Sequence, residues 1–487
     1  MIRSYQEKNS VAHSQLIILS SNVLRLALSL VLTILLGRVL SPADFGFYGL
    51  VITLFVIARE LMDFGSGSLA VREIALSPDR EKSTLETLVG LRVIVGTGLA
   101  VACLILALQQ NLVYQLWVLM AVALVLPLLS IGTLALVYQL RQNQQPPALI
   151  VLTLQFAMLI GCILLYQLRA PAWSYAALLV TREILGLFWL ELHAGNTLGY
   201  RIRPRFEFSN MHVFLRKAVL VGTAAAMYNL YFYIGPLLIW FLRPAAEMGA
   251  YSAAFRPISQ LLSFPLLLML PLLPVLTQFA AKDRPALQQQ AAYLVPLAVG
   301  MGAVIAVAGL ELSGDALFLL YGNKYIQGEL SAIDTLRLLS LSFMFSMTTS
   351  VVATFLLAAS REKELVLLCL AGLLVNLLCN FLLLPVYGFP ASALATLATE
   401  ICVSVFGVIL VLRLEILKLS WSILCTLLLP SIVLAFVMQF LPNTTGWPRL
   451  APAFFLSFAA ILLLLQLPDA KKGRQKLVRN AVNGPAD

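Results

Sequence analysis

Apolar segments long enough to cross a bilayer recur along the whole chain, and they constrain its fold more than any other feature. A membrane-spanning helix needs about 20 predominantly apolar residues, and the sequence holds about fourteen such segments. Because backbone polar groups find no water in the hydrocarbon core, segments of this kind cross it as helices. A mean hydropathy of +0.92 and a charged fraction of 11% agree with that class. We therefore predict an all-α polytopic membrane protein.

The edges of the apolar runs predict where each span begins and ends. The residues before the first span are polar and no small-residue cleavage site follows it, so we expect this helix to be its own targeting signal. The predicted spans are 15–37, 45–62, 87–108, 113–139, 146–167, 171–192, 214–241, 247–277, 291–311, 332–357, 364–384, 388–412, 419–440 and 449–467.

A short turn sequence occurs twice and divides the chain. The turn A-D-F-G-F-Y at 43–48 returns as A-E-M-G-A-Y at 246–251, each time between the first and second helices of a six-helix block. Parallel repeats of this kind predict a binding site where the two halves meet. The predicted divisions are an N-lobe at 1–192, a cytoplasmic connector at 193–213, a C-lobe at 214–412, and two further helices with a basic tail at 413–487.

The distribution of basic residues predicts the orientation in the membrane. If the N-terminus is cytoplasmic, the 33 lysines and arginines divide into 22 in cytoplasmic segments, five in outer loops and six inside spans. The positive-inside rule therefore places both termini in the cytoplasm. Anionic lipid head groups at that face account for most of the net charge of +10, so no nucleic-acid partner is expected.

Apart from Arg216, Lys217 and Arg449 in the first few residues of their spans, six basic residues lie inside the predicted spans. Two are near helix ends, where Arg92 can snorkel to the interface and Arg337 follows Asp334 by three residues. The other four cost about 2.5–3.5 kcal/mol each to insert, so we expect them to face a bundle interior or a water-filled cavity. These four are Arg25, Arg59, Arg182 and Arg256.

The four deep arginines have a functional and a structural interpretation. In the first they bind an anionic substrate, because arginine is a permanently charged, bidentate clamp for phosphate. In the second they form buried ion pairs, for example Arg59 with Asp63 four residues later. Other carboxylates available for pairing are Glu60, Glu183 and Glu400. The sequence leaves both interpretations open.

Predicted helix seven carries groups suited to a sugar. Tyr228, Asn229 and Tyr231, with Tyr233 nearby, offer ring faces, hydroxyls and an amide. Ordinary aromatic packing or an interfacial belt is the alternative for these residues. A sugar contact by Tyr228, Asn229 and Tyr231 is therefore a hypothesis.

Several stretches, taken in order, carry a family resemblance. They include R-V-L-S-P-A-D-F-G-F-Y at 38–48, D-F-G at 63–65, R-E at 72–73 and L-L-Y-G-N-K-Y at 319–325. A later set comprises Asn376, Asn380, Pro385, Gly388 and Ala391. Together they resemble the polysaccharide transporter, or O-antigen flippase-like, family of the multidrug/oligosaccharidyl-lipid/polysaccharide (MOP) exporter superfamily.

The resemblance implies a V-shaped, MATE-like carrier that works by alternating access. The implied substrate is an oligosaccharide linked to undecaprenyl pyrophosphate, which the carrier moves across the bacterial inner membrane for cell-surface polysaccharide biosynthesis. Relatives with such substrates place arginines from helices one, two and eight in a central cavity, and Arg25, Arg59 and Arg256 lie on those helices. Arg182 has no counterpart in that pattern. Polysaccharide polymerase or ligase machinery would be a further partner, besides membrane lipids.

The sequence argues against an enzyme. A membrane glycosyltransferase or polymerase needs a catalytic carboxylate or base in a substantial outer loop, and the longest predicted outer loop has only roughly 20 residues. The six cysteines lie inside apolar segments without metal-ligand spacing. We therefore expect no catalytic residue, no cofactor and no metal site.

A cation-coupled multidrug antiporter of the same superfamily is the alternative function. Such a carrier would favour an acidic cavity, whereas the deep charges of this chain are mainly arginines. Glu60, Glu183 and Glu400 nevertheless keep a site for a coupling ion, Na⁺ or H⁺, open.

The predicted topology can be tested by labelling. Single cysteines at Asn196 and Asn443, in a background that lacks the six native cysteines, should react differently with a membrane-impermeant thiol reagent in intact cells. Only the cysteine at Asn443 should be labelled, because Asn196 belongs to the predicted cytoplasmic connector. Labelling at Asn196 would contradict the orientation.

Overall fold

The computed structural model describes residues 2–110, 112–199, 201, 203–261, 265, 269, 272–418, 421–440 and 447–466. These residues form helices joined by short turns and contain no strand. The all-α class is thereby confirmed. Asn443, in the predicted last outer loop, and the basic tail after residue 466 lie outside the described residues.

The chain divides into two compact units, Met1–Tyr233 and Ile234–Asp487, with the boundary inside helix α9. The helices that begin in the first unit are α1 Ile2–Val39, α2 Pro42–Asp63, α3 Ser66–Leu76, α4 Glu81–Leu108, α5 Val113–Val125, α6 Leu134–Leu140, α7 Gln145–Gln167, α8 Trp173–Leu198 and α9 Phe208–Leu242. Those of the second unit are α10 Ala245–Leu261, α11 Leu273–Lys282, α12 Arg284–Tyr321, α13 Ile333–Ala358, α14 Glu362–Tyr387, α15 Pro390–Arg413, α16 Trp421–Met438 and α17 Trp447–Gln466.

The described helices confirm a polytopic membrane protein. Eight of them are long and apolar enough to span a bilayer, or nine if one bent pair counts as a single span. The predicted total of about fourteen spans is therefore not confirmed. In α9, α16 and α17 the described apolar stretches are shorter, at Ala226–Leu242, Leu427–Met438 and Leu450–Ile461.

The predicted span at 113–139 corresponds to a bent pair of helices and not to one continuous helix. A 3₁₀ segment, Pro127–Thr133, separates α5 from α6, and the two halves form an angle of 40°. Proline lacks the N–H that continues an α-helix, and its ring crowds the preceding turn, so Pro127 accounts for the break. The bend lies in the middle of the span, and Thr133 is the last residue of the 3₁₀ segment.

A second break follows α2, within the D-F-G sequence. Helix α2 ends at Asp63, and Phe64 and Gly65 both adopt positive φ, 34° and 76°. Glycine has no Cβ and takes this conformation without strain, which explains its place in the motif. Helix α3 then restarts at Ser66, and Asp63 Oδ1 accepts a hydrogen bond from the backbone N–H of Gly67 at 3.3 Å.

Both copies of the repeated turn place a carboxylate at the start of a helix. In the first copy the Ser41 hydroxyl caps α2 by accepting from the Asp44 N–H at 3.1 Å, and Asp44 accepts from the Tyr114 hydroxyl at 2.9 Å. In the second copy Glu247 accepts from the Arg243 guanidinium at 2.7 Å and from the Phe389 N–H at 3.0 Å. Each turn is thus hydrogen-bonded to another segment of its own unit, at Tyr114 in the first copy and at Phe389 in the second.

Small residues allow close helix packing in the second unit. Helices α12 and α13 lie side by side, and a Cβ added to Gly302 would lie 2.7 Å from Met344 Cα. In lipid, apolar surface drives association weakly, so close backbone approach through small residues matters more.

The predicted connector at 193–213 is mostly helical. Helix α8 continues to Leu198 and α9 begins at Phe208. Between them, Arg205 donates its backbone N–H to the Glu86 carbonyl at 3.1 Å. The segment therefore packs against the start of α4, within the first unit.

The cysteines are free thiols. Cys103, Cys162 and Cys369 are buried. Cys379 and Cys402 are half-buried, and Cys425 is exposed, so burial is not common to all six.

Candidate functional site

Three helices of the first unit bring charged side chains together at Glu183. Arg59 of α2 forms an ion pair with the Glu183 carboxylate through Oε2, and Arg182 donates to Oε1 at 2.9 Å. The Glu183 side chain is only 9% exposed, whereas Arg59 is 51% exposed. Helix α8 packs against α2, α5 and α7, which fixes the position of the carboxylate. The two oxygens of one carboxylate thus bind two different guanidiniums.

Arg25 of α1 joins this group. It interacts electrostatically with Arg182, and both side chains are half-buried. Arg25, Arg59, Arg182 and Glu183 are called here the arginine cluster. Three guanidiniums against one carboxylate leave an excess of two positive charges. Like charges held together in low dielectric repel strongly, so the cluster is suited to an added anion.

Of the carboxylates that the sequence offered as partners for Arg59, the structure pairs it with Glu183 and not with Asp63. Asp63 instead forms an ion pair with Arg92 of α4, through Oδ1. The sequence distance of four residues is compatible with pairing on a helix, but α2 ends at Asp63, and the turn that follows directs this carboxylate toward α4. Arg59 is therefore left for Glu183.

The expected snorkelling of Arg92 is also wrong. Its side chain is only 10% exposed, and Arg92 Nη1 donates to the Thr133 hydroxyl at 2.9 Å. Thr133 is supplied by the 3₁₀ segment that breaks the predicted fourth span. Gly67 packs closely against this ion pair: a Cβ there would lie 2.8 Å from Asp63 Oδ1, which is too close for a side chain. The D-F-G break and the 3₁₀ break together position one ion pair, whose guanidinium is buried and whose carboxylate is 48% exposed.

Glu60 has its own partner and lies apart from the Glu183 carboxylate. Its carboxylate accepts a hydrogen bond from the Asn229 side chain on α9 and lies near the charge of Asp63. Adjacent residues on a helix point about 100° apart, so Arg59 and Glu60 serve different neighbours. Asn229 is thus placed beside an ionisable group, which the sequence did not indicate.

The three residues expected to contact sugar differ in accessibility. Tyr228 and Asn229 are half-buried, whereas Tyr231 is fully buried. Tyr231 packs its ring against Phe232 at 4.9 Å and Tyr228 at 5.2 Å between centroids. The structure thus favours Tyr228 and Asn229 over Tyr231 as sugar contacts, and their role stays a prediction.

In the second unit, Arg256 lies on α10 near an aromatic hydroxyl. The Arg256 guanidinium interacts electrostatically with Tyr321, at the end of α12. Pro257 follows directly, and its missing N–H leaves a backbone carbonyl without its usual helical donor. Ser259 Oγ donates to the Arg256 carbonyl at 2.9 Å. The sequence already shows this proline directly after the predicted site residue.

Glu400 of α15 is completely buried in the second unit. The Thr349 hydroxyl of α13 donates to Glu400 Oε2 at 3.0 Å, and Cys369 of α14 lies within electrostatic range. Asn376 and Asn380 form a neighbouring buried pair, with Asn380 Nδ2 donating to Asn376 Oδ1 at 2.9 Å. The second unit therefore contains a buried carboxylate and a separate amide pair.

The structure brings together three of the four predicted deep arginines. Arg59 and Arg182 bind Glu183, Arg25 interacts electrostatically with Arg182, and Arg256 belongs to the other unit. The pairing of Arg337 with Asp334 is confirmed at 3.1 Å. Which carboxylate serves which arginine was not readable from the sequence, because the pairs join residues far apart in the chain.

Comparison with known proteins identifies the family. A family model described as "Polysaccharide biosynthesis protein" matches residues 11–280, more than half of the chain. The chain belongs to this family. The resemblance seen in the sequence motifs is thereby confirmed. No curated protein matches the sequence significantly.

Solved structures of MOP superfamily transporters share the fold of this polysaccharide biosynthesis protein. The lipid II flippase MurJ, in an inward closed conformation, has a TM-score of 0.75 at 12% identity, over 95% of this chain and 100% of MurJ. An inward-facing multidrug resistance MATE transporter has a TM-score of 0.55 at 13% identity, over 81% of this chain and 99% of that transporter. A MOP superfamily transporter from Pyrococcus furiosus has a TM-score of 0.51 at 12% identity, over 83% of this chain and 94% of that transporter. These similarities establish the fold.

The Arg92–Asp63 pair, in which only the guanidinium is buried, predicts a selective loss of stability. Asp63→Asn should lower the free energy of unfolding of the purified protein by about 1–3 kcal/mol, because it leaves a buried guanidinium without its carboxylate. The matched control is Asp334→Asn, which removes the partner of Arg337 in a pair that is 47% and 78% exposed. That change should have little effect. Equal losses in the two variants would contradict a special role for the buried pair.

Proposed function

We propose that the protein is a flippase that moves a lipid-linked oligosaccharide across the bacterial inner membrane by alternating access, for cell-surface polysaccharide biosynthesis. The lipid carrier is undecaprenyl pyrophosphate. Membership of the polysaccharide biosynthesis family and the fold shared with the lipid II flippase MurJ support a transporter of this class. The observation that carries the proposal is the excess of two positive charges in the arginine cluster.

The charge of the substrate explains why such a cluster would exist. A lipid pyrophosphate carries about two negative charges, and each guanidinium binds phosphate oxygens in a bidentate way. Each arginine at bilayer depth costs about 2.5–3.5 kcal/mol to insert, so arginines that only stabilised the fold would be expected to pair one to one with carboxylates. The Arg92–Asp63 pair follows that rule, whereas the cluster at Glu183 does not.

The remaining assignments follow from this substrate. Arg256 binds phosphate as well, and Tyr228 and Asn229 contact the sugar, since they are the accessible members of the predicted set. Lobes at 1–192 and 214–412, joined by 193–213, are the moving parts, and both termini are cytoplasmic. Polymerase or ligase machinery receives the translocated product.

Coupling to an ion is supported by the buried carboxylates. Glu400 is enclosed and bound by a threonine hydroxyl, and Glu60 is bound by Asn229. Buried carboxylates in membrane transporters commonly carry protons or bind cations. Na⁺ or H⁺ binding at Glu60 or Glu400 would drive transport.

The second candidate is a cation-coupled multidrug antiporter. The complete burial of Glu400 favours it, because a cationic substrate or coupling ion requires an acidic partner. The arginine cluster opposes it, because an excess of positive charge repels cationic drugs. Expression of the protein in a drug-sensitive strain distinguishes the two, since only an antiporter raises resistance to cationic compounds.

Loss of the gene tests the proposed function directly. The lipid-linked oligosaccharide should accumulate on the cytoplasmic leaflet with its chemical structure unchanged, as measured by extraction and mass spectrometry combined with a leaflet-specific lectin assay. The purified protein should neither hydrolyse nor transfer the sugar. A changed glycan, or a product formed by the pure protein, would show that the protein is an enzyme.

Variants of Arg256 test its assignment. Arg256→Ala should nearly abolish export while the protein remains abundant in the membrane, because the lost contact is with substrate. Arg256→Lys should restore export only in part, since an ammonium keeps the charge and loses the planar fork. Arg337→Ala, in an exposed ion pair of the same unit, is the control and should export normally.

Abundance and export must be measured together for each Arg256 variant. Loss of export that merely follows loss of protein would assign Arg256 to the structure of the unit. Normal export by an abundant Arg256→Ala variant would remove it from the substrate site.

A further inference from the structure

The Glu183 carboxylate accepts hydrogen bonds from two arginines in the way that a phosphate group would. Its Oε2 accepts from Arg59 and its Oε1 accepts from Arg182 at 2.9 Å, so two oxygens of one anion bridge two guanidiniums. Carboxylate and phosphate are the two groups that match the guanidinium fork. An incoming phosphate would therefore seek the same N–H donors that Glu183 now holds.

The cluster also retains unused capacity for an anion. Half of the Arg59 side chain is exposed, so its guanidinium can be approached. The buried Nε of Arg182 has no hydrogen-bond partner among the described residues. A buried N–H without an acceptor is destabilising, particularly on a charged group. Glu183 thus satisfies the cluster only in part.

Resting on the proposed function, we infer that Glu183 is an internal counter-anion that the pyrophosphate of the substrate displaces from Arg59 and Arg182. While the site is empty, the carboxylate reduces repulsion among the guanidiniums. When substrate binds, phosphate oxygens replace it. When substrate leaves, the carboxylate returns.

Displacement of this kind would solve a problem that every carrier of a strongly charged ligand faces. Several guanidiniums bound to a pyrophosphate in a low-dielectric site would hold it too firmly for release. Transport requires binding that is strong enough to load the substrate and weak enough to let it go. A carboxylate fixed beside the site lowers the net affinity without removing any phosphate-binding group.

The inference predicts that removing the charge of Glu183 strengthens binding. Glu183→Gln should bind a short-chain isoprenyl pyrophosphate about tenfold more tightly than the unaltered protein, because charged hydrogen bonds to a competing anion are lost. Dissociation of the probe should be slower, and export in cells should fall at equal abundance. Binding and dissociation are measured on the full chain in lipid nanodiscs with radiolabelled probe.

Two other variants serve as controls. Glu191→Gln makes the same charge change on the same helix at an exposed position and should leave affinity unchanged. Arg59→Gln combined with Glu183→Gln should lose the gain in affinity, because the released guanidinium is gone. If Glu183→Gln is too unstable to purify, Glu183→Asp retracts the carboxylate by one methylene and should give a smaller increase in affinity.

The outcomes separate this inference from the proposed function. If the unaltered protein binds the probe and Glu183→Gln binds it equally or more weakly, Glu183 is not a competitor, while the flippase proposal stands. If neither protein binds the probe, both proposals fail. If only Glu183→Gln binds it, competition by the carboxylate is supported in its strongest form.

Discussion

The cost of a guanidinium in a low-dielectric environment determines much of this structure. An arginine at bilayer depth is tolerated only if polar groups surround it, and its charge cannot be removed by deprotonation. The first unit meets this requirement at two places. Arg92 is enclosed by Asp63 and Thr133, whereas Arg59 and Arg182 share Glu183. Several backbone features of the unit serve to bring these partners together.

The two places differ in the ratio of charges, and that ratio separates structural from functional arginines. The Arg92–Asp63 pair is balanced in charge and further bound by a hydroxyl, although the buried Nε of Arg92 has no hydrogen-bond partner among the described residues. The arginine cluster has two positive charges more than its carboxylate neutralises. Excess charge of one sign, held beside an accessible side chain, creates affinity for an anion from outside. The burial of a single arginine does not provide this distinction.

The sequence predicted the fold class and the deep arginines, but not their partners. Hydropathy is a local property, so spans such as 364–384 agree closely with the helix Glu362–Tyr387. Pairing is a tertiary property: Arg59 and Glu183 are 124 residues apart, and the sequence did not distinguish Glu183 from the nearer Asp63. The D-F-G break turned Asp63 away, and glycine with positive φ was the one local signal of that break.

Breaks in the helices are the means by which a membrane protein of this kind places polar groups. A continuous apolar helix offers the bilayer interior few donors or acceptors, whereas a break exposes backbone groups and changes side-chain direction. Pro127 begins the 3₁₀ segment that delivers Thr133 to Arg92, and Gly65 ends the turn that delivers Asp63. Helix α8 differs, since it carries Arg182 and Glu183 without a break. It therefore depends on neighbouring helices to supply Arg59, which makes the arginine cluster sensitive to any movement of α2 relative to α8.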